Sequence, residues 1–124
     1  MDEAQMESES IRQFEVMTGI EVIVHGDVSR LRLAQRIIQQ WEAISVRAVR
    51  LLEGFMRDRG EFYLGSIKVF AVKDADGGDF LFWYNFSADR DPHEYNYTYF
   101  EVYFSCHEPP SEPFWPYKFT VGFY

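Results

Sequence analysis

The chain has 124 residues, of which 47% are hydrophobic and 19% aromatic, and it contains one cysteine, Cys106. This length fits one ordinary domain, the apolar content excludes general disorder, and a lone cysteine excludes an intramolecular disulfide or a thiolate zinc cluster. The net charge of −8 argues against nonspecific nucleic-acid binding, which needs a clustered positive surface.

The charge is distributed unevenly along the chain. Residues 1–27 carry a net charge of −6, residues 28–59 carry +4 and residues 60–124 carry −6. The first ten residues are acidic and polar, unlike a secretory signal, and no apolar stretch reaches the roughly 18 residues of a membrane span. We therefore expect a cytoplasmic protein without a membrane or nucleic-acid partner, with a flexible acidic segment at 1–10 and a single domain at 11–124.

The first regular element is a strand. The alternation IEVIVH, which is rich in β-branched residues, predicts it over residues 20–25. The preceding segment, residues 11–17, fits either a paired strand or a short helix, because Ile11, Phe14 and Met17 also have helical spacing. Both interpretations remain open at this point.

The middle of the chain predicts one long amphipathic helix. From Ser29 to Phe55, apolar residues recur at alternating steps of three and four, and Gly60 is suited to end the helix. Arginine and glutamine side chains occupy the opposite face, so we expect the positive charge of this region on the solvent side.

After Gly60 the period of the pattern changes to two, which predicts four strands joined as an antiparallel meander. Gly65 suggests a bulge in the first of these strands, and DADGGD at residues 74–79 supplies a hairpin turn. The four strands are predicted over residues 61–73, 80–87, 91–106 and 115–124.

The predicted fold is therefore α+β, with one long helix packed against a curved antiparallel sheet of four to five strands in the order β-α-β-β-β-β. This order resembles the cystatin-like layout, in which a sheet wraps a single helix. The resemblance is one of architecture only, because DADGGD stands where the inhibitor loop of cystatins carries Gln-Val-Val-Ala-Gly. Inhibition of cysteine proteases is accordingly not implied.

Three segments resemble metal-binding or catalytic motifs, but each has a simpler structural explanation. DADGGD begins like a calcium loop, but Gly78 and Asn85 occupy the fifth and twelfth positions, so we interpret it as a turn. Cys106 and His107 would point to opposite faces of a strand and so could not act together. Four potential metal ligands in one loop are interpreted as charged side chains exposed to solvent. They are Asp89, Asp91, His93 and Glu94. No catalytic residue, metal or cofactor is predicted.

The stretch DPHEYNYTYFEVYF, residues 91–104, contains the candidate binding surface. Alternation places Phe100, Val102 and Phe104 against the helix and the tyrosines on the other face, where each hydroxyl can reach water or a partner. Trp83, on the outward side of the preceding strand, extends this row. The predicted interface comprises Trp83, Tyr95, Tyr97, Tyr99, Glu101 and Tyr103.

These features favour a small acidic, non-enzymatic binding protein. It would inhibit a basic protein partner through its tyrosine-rich sheet face, in the manner of small bacterial immunity proteins and other antagonists. The alternative is a small-molecule-binding or catalytic domain with an aromatic pocket between helix and sheet. A homodimer formed through the tyrosine face is a third hypothesis.

Overall fold

The structure, a computed structural model, describes residues 3–74, 77–106 and 114–124. The fold is α+β, as predicted, and combines helices with a sheet that follows chain order from β1 to β5. In the described chain the elements are α1 (Glu3–Thr18), β1 (Glu21–Val24), α2 (Val28–Gln39), α3 (Trp41–Phe55), β2 (Gly60–Val69), β3 (Phe80–Ala88), β4 (Thr98–Cys106) and β5 (Phe114–Phe123).

The sheet is mixed and open. Strands β2 to β5 pair antiparallel and form the predicted meander, whereas β1 pairs parallel to β2. A parallel pair needs a long crossover, and α2 and α3 supply it. Because β1 and β5 are edge strands of an unclosed sheet, the cystatin-like layout is not confirmed.

The N-terminal part of the chain forms one helix, α1. Residues 11–17, for which strand and helix were both open, are helical, and so is the acidic segment expected to be flexible, from Glu3 onward. Ile11 joins the core, and the Phe14 ring meets that of Trp41 edge-on at 6.1 Å between centroids.

The prediction of a single long helix is wrong, because α2 and α3 are separate helices. Gln40 leaves the helical conformation, with φ −125° and ψ 14°. Its N–H donates to the Ile37 carbonyl at 3.0 Å, and its own carbonyl accepts from the Ile44 N–H at 3.0 Å, so this residue ends one helix and begins the next. The interruption is one residue long and hardly disturbs the apolar spacing from which a continuous helix was predicted.

The helices contribute to one core that covers a single face of the sheet, called here the inner face. Ile11, Ile37 and Leu52, from α1, α2 and α3, are buried together with inner-face residues such as Phe82 and Phe100. The opposite face is called the outer face.

A polar contact crosses this core. The hydroxyl groups of Tyr84, on β3, and Ser45, on α3, are 2.8 Å apart. Burial raises the pKa of the Tyr84 phenol far above its usual range. The contact pairs a hydroxyl that water does not reach, as a buried tyrosine requires.

The strand pairing confirms one local prediction and corrects another. The register between β2 and β3 shifts between Leu64 and Ser66, which places the predicted bulge at Gly65. The third strand of the meander begins at Thr98 rather than near residue 91. Residues 91–97 form consecutive turns, in which the Thr98 N–H donates to the Tyr95 carbonyl at 3.0 Å.

The DADGGD segment joins β2 to β3, as predicted, although residues 75 and 76 lie outside the described chain. The Gly77 N–H donates to the Asp74 carbonyl at 2.9 Å, and the Asp74 N–H donates to the Gly78 carbonyl at 2.8 Å. The backbone on either side of the gap is therefore bonded as a turn. His107, considered above beside Cys106, also lies outside the described residues.

Candidate functional site

Four residues of the predicted interface lie on the outer face. Trp83 on β3 is paired with Glu101 on β4, and Tyr99 and Tyr103 are two positions to either side of Glu101. All four are half-buried and alternate with buried residues of the core such as Tyr84. The alternation of the sequence thus places these side chains together on one surface.

The other two residues of the predicted interface lie before β4, so the prediction that they belong to the outward face of this strand is wrong. Tyr95 packs edge-on against Phe86 with 5.0 Å between ring centroids, on the core side. Its hydroxyl donates to Asp58 Oδ2 at 2.5 Å, and this bond raises the pKa of Tyr95 to about 12. Tyr97 lies in the turns before β4 and is 76% exposed. The prediction assumed that the strand alternation of β4 also holds for the residues before Thr98, but those residues form turns.

Trp83 and Tyr99 lie flat on the sheet because glycines stand beneath their rings. A Cβ atom built on Gly65 would be 3.0 Å from two atoms of the Trp83 ring. A Cβ atom built on Gly122 would collide with the Tyr99 ring. Aromatic rings that cover strand glycines in this way also shield the exposed backbone. The glycines are therefore part of the surface as much as the rings are.

The two rings are nearly parallel. Their planes are 22° apart and their centroids 5.8 Å apart. The Tyr124 ring stands beside them at a steep angle, 6.2 Å from Trp83 and 5.5 Å from Tyr99 between centroids. We call Trp83, Tyr99 and Tyr124 the aromatic platform. Because Trp83 and Tyr99 rest on backbone, their opposite faces are turned outward.

At the other end of the outer face, an aromatic ring already contacts a cation. Lys118 Nζ lies 4.5 Å from the centroid of the Tyr103 ring and 5.7 Å from that of Tyr117. Burial and the charge of Glu101 raise the pKa of Tyr103. Within the described chain, no lysine or arginine lies over the rings of the platform.

A groove lies on the inner side of the sheet, where α3 ends. Its volume is about 510 Å³. A neighbouring cavity of about 440 Å³ shares Met56, Arg57 and Asp58 with it. The groove is lined mainly by apolar side chains, which are Phe55, Met56, Phe100, Val121 and Phe123.

Asp79 is a buried acid that pattern alone did not place. It is 2% exposed, and its carboxylate accepts from Lys73 Nζ at 2.6 Å, the Cys106 N–H at 2.7 Å and Arg30 at 3.1 Å. Burial raises the pKa of Asp79, but these donors outweigh it and the net pKa is lowered. Through these three donors, the ionised carboxylate connects α2, the hairpin and β4. A carboxylate held in its ionised form in this way is poorly suited to proton transfer.

The other candidate features among the described residues do not form a site. No group of three or more His, Cys, Asp or Glu side chains among them is arranged to hold a metal ion. In the loop before β4, Asp91 accepts a hydrogen bond from the His93 N–H at 3.0 Å, as in a turn. Within the same part of the chain, no helix is long and apolar enough to cross a membrane.

Comparison of the chain with models of protein families, with characterised proteins and with solved structures found no significant match.

Proposed function

We propose that this chain is a small acidic binding protein that docks a basic protein through its outer face and thereby inhibits it. The observation that carries the proposal is the aromatic platform, in which Trp83 and Tyr99 lie over strand glycines and remain partly exposed. The helices pack on the inner face, so no described helix covers the platform. Aromatic residues are enriched at the centres of protein interfaces.

The platform favours a positively charged partner. The face of an aromatic ring carries partial negative charge and attracts lysine or arginine, with tryptophan the strongest of the rings. Lys118 over Tyr103 is an example within the same surface. Glu101, directly opposite Trp83 in the register, adds a full negative charge beside the platform. A partner arginine would therefore meet both a ring face and a carboxylate.

The net charge supports the same choice of partner. A chain with a net charge of −8 attracts a basic protein over a distance and repels a second copy of itself. This repulsion favours the basic partner over the homodimer. Covering the partner's functional surface is sufficient for inhibition, so an antagonist needs no catalytic group. Its lack of catalysis and its cytoplasmic location remain predictions from sequence.

An arginine-containing peptide tests the platform directly. We expect a peptide of alternating glycine and arginine to bind, and the same peptide with citrulline, which is neutral and nearly isosteric, to bind much more weakly. Trp83→Leu should weaken binding of the arginine peptide about tenfold, the size of a well-formed cation–π contact. Added salt should weaken it further, because the attraction is partly between charges. Isothermal titration calorimetry measures these affinities.

Tyr97→Leu is the matched control. It also removes an exposed aromatic ring from the predicted row, but one that lies outside the platform, so the affinity should stay unchanged. Equal affinities for the arginine and citrulline peptides would contradict the proposal. So would an unchanged affinity in Trp83→Leu, provided that the variant retains the circular dichroism spectrum of the parent protein.

A further inference from the structure

We infer a second binding site, for a small aromatic carboxylate, in the groove between the end of α3 and strands β4 and β5. The groove is on the inner side of the sheet and the platform is on the outer side, so this inference does not depend on the function proposed above. It combines an apolar lining with one arginine that has no partner among the described residues.

The apolar lining is unusually exposed. Phe55, the last residue of α3, is 57% exposed, and Phe123, near the end of β5, is 76% exposed. Phe100, on β4, is buried and forms part of the same lining. A flat apolar ligand placed among these rings would remove a large apolar surface from water, which is the main source of affinity at most small-molecule sites.

The two charged side chains of the groove differ in whether they already have a hydrogen-bonding partner. Arg57 and Asp58 are its two charged lining residues in the described chain. The Asp58 carboxylate accepts the short hydrogen bond from Tyr95. Arg57 is exposed, and within the described residues its guanidinium has neither a hydrogen bond nor an ion pair. The charge of Asp58 remains, but its carboxylate is held by Tyr95, so the charged group still able to pair with a ligand is the Arg57 guanidinium, which pairs with an anion.

The geometry of arginine and the size of the groove narrow the ligand class. A planar guanidinium forms paired hydrogen bonds with a carboxylate, since both groups present two parallel positions. A volume of about 510 Å³ falls within the range of about 300–1,000 Å³ that is common for small-molecule sites. In a ligand with an aromatic ring system and one carboxylate, the rings can contact the apolar lining while the carboxylate pairs with Arg57.

Three probes of the same shape test this inference: naphthoate, naphthalenemethanol and naphthylmethylamine, which are respectively anionic, neutral and cationic. We expect naphthoate to bind with one-to-one stoichiometry and about tenfold more tightly than the alcohol, as one charge-assisted interaction predicts. The amine should bind most weakly. Titrations followed by two-dimensional NMR give both the affinity and the location of each probe.

Two variants separate the charge from the lining. Arg57→Gln should abolish the preference for naphthoate over the alcohol, while Arg12→Gln, an exposed arginine on α1, should leave it intact as the matched control. Phe55→Ala should weaken all three probes, and because Phe55 is exposed the variant should still fold. No saturable binding of naphthoate, or equal affinities for the three probes, would overturn the inference.

The experiments test the two proposed sites independently, because each variant should affect only one of them. Arg57→Gln should leave the affinity for the arginine peptide unchanged, and Trp83→Leu should leave the affinity for naphthoate unchanged. Shifts in the NMR spectrum confined to the outer face on addition of naphthoate would also overturn the groove as its site.

Discussion

Replacement of Asp79 by alanine is expected to lower the free energy of unfolding by about 3–5 kcal/mol, the usual cost of removing one member of a buried charged group. The variant would leave Arg30, at 14% side-chain exposure, and the Cys106 N–H without their acceptor. Lys73, with 55% side-chain exposure, can return to water and adds less. Chemical denaturation monitored by circular dichroism measures the loss.

Asp89→Ala is the control for this prediction. Asp89 is exposed, follows β3 directly and has no side-chain hydrogen bond or ion pair within the described residues, so its removal should change the unfolding free energy little. Equal stability of the Asp79 and Asp89 variants would show that the contacts of Asp79 do not support the fold.

The same carboxylate predicts a dependence of stability on pH. The folded pKa of Asp79 lies below its ordinary value of 3.8. A lowered folded pKa means that the stabilisation is complete above the unfolded pKa and is lost as the pH falls through the folded value. We expect the stability of the parent protein to fall more steeply below pH 3.8 than that of Asp79→Ala. Parallel unfolding curves over that range would contradict this role.

Replacement of Phe80 by alanine should be about as costly, at about 3–5 kcal/mol, because it opens a cavity in the centre of the core. Phe80 is fully buried, and its ring meets those of Phe82, Phe104 and Phe114 at centroid distances of 5.8, 4.9 and 5.4 Å. These contacts join β3 to its neighbour β4 and to the edge strand β5. Denaturant unfolding again provides the measurement.

Phe123→Ala provides the comparison for Phe80→Ala. It deletes the same side chain from a position that is 76% exposed, so little apolar surface returns to water. A large loss of stability in Phe123→Ala, with a small loss in Phe80→Ala, would contradict the placement of the core on the inner face.

Much of the sheet follows from local pattern, because alternation along one strand determines which side chains share a face. Trp83 and Tyr99 were assigned to the outer face in this way, and Gly65 was recognised as a bulge. The break at Gln40 was missed, because one residue in a non-helical conformation leaves the apolar spacing nearly intact. Tyr95 was misplaced, because the alternation of aromatic residues continues through a segment whose backbone forms turns.

Other features depend on contacts between distant parts of the chain. Asp79 was interpreted as a turn residue, and only the fold brings Arg30 and Cys106 to its carboxylate. Likewise, the flat platform requires Gly122 to pair with Tyr99 across β4 and β5, a register that a single strand does not reveal. The sequence does carry a signal for the close approach of the rings, which is a glycine inside each of two aromatic strands.

The central claim is that the rings of Trp83 and Tyr99 lie flat on Gly65 and Gly122 and turn their other faces outward. Proton NMR tests it most directly, because an aromatic ring shifts protons held beneath its face strongly upfield. We predict upfield α-proton resonances for both glycines, with the Gly65 shift lost in Trp83→Leu and the Gly122 shift lost in Tyr99→Leu. Ordinary strand values for these protons, unchanged in the two variants, would contradict the platform.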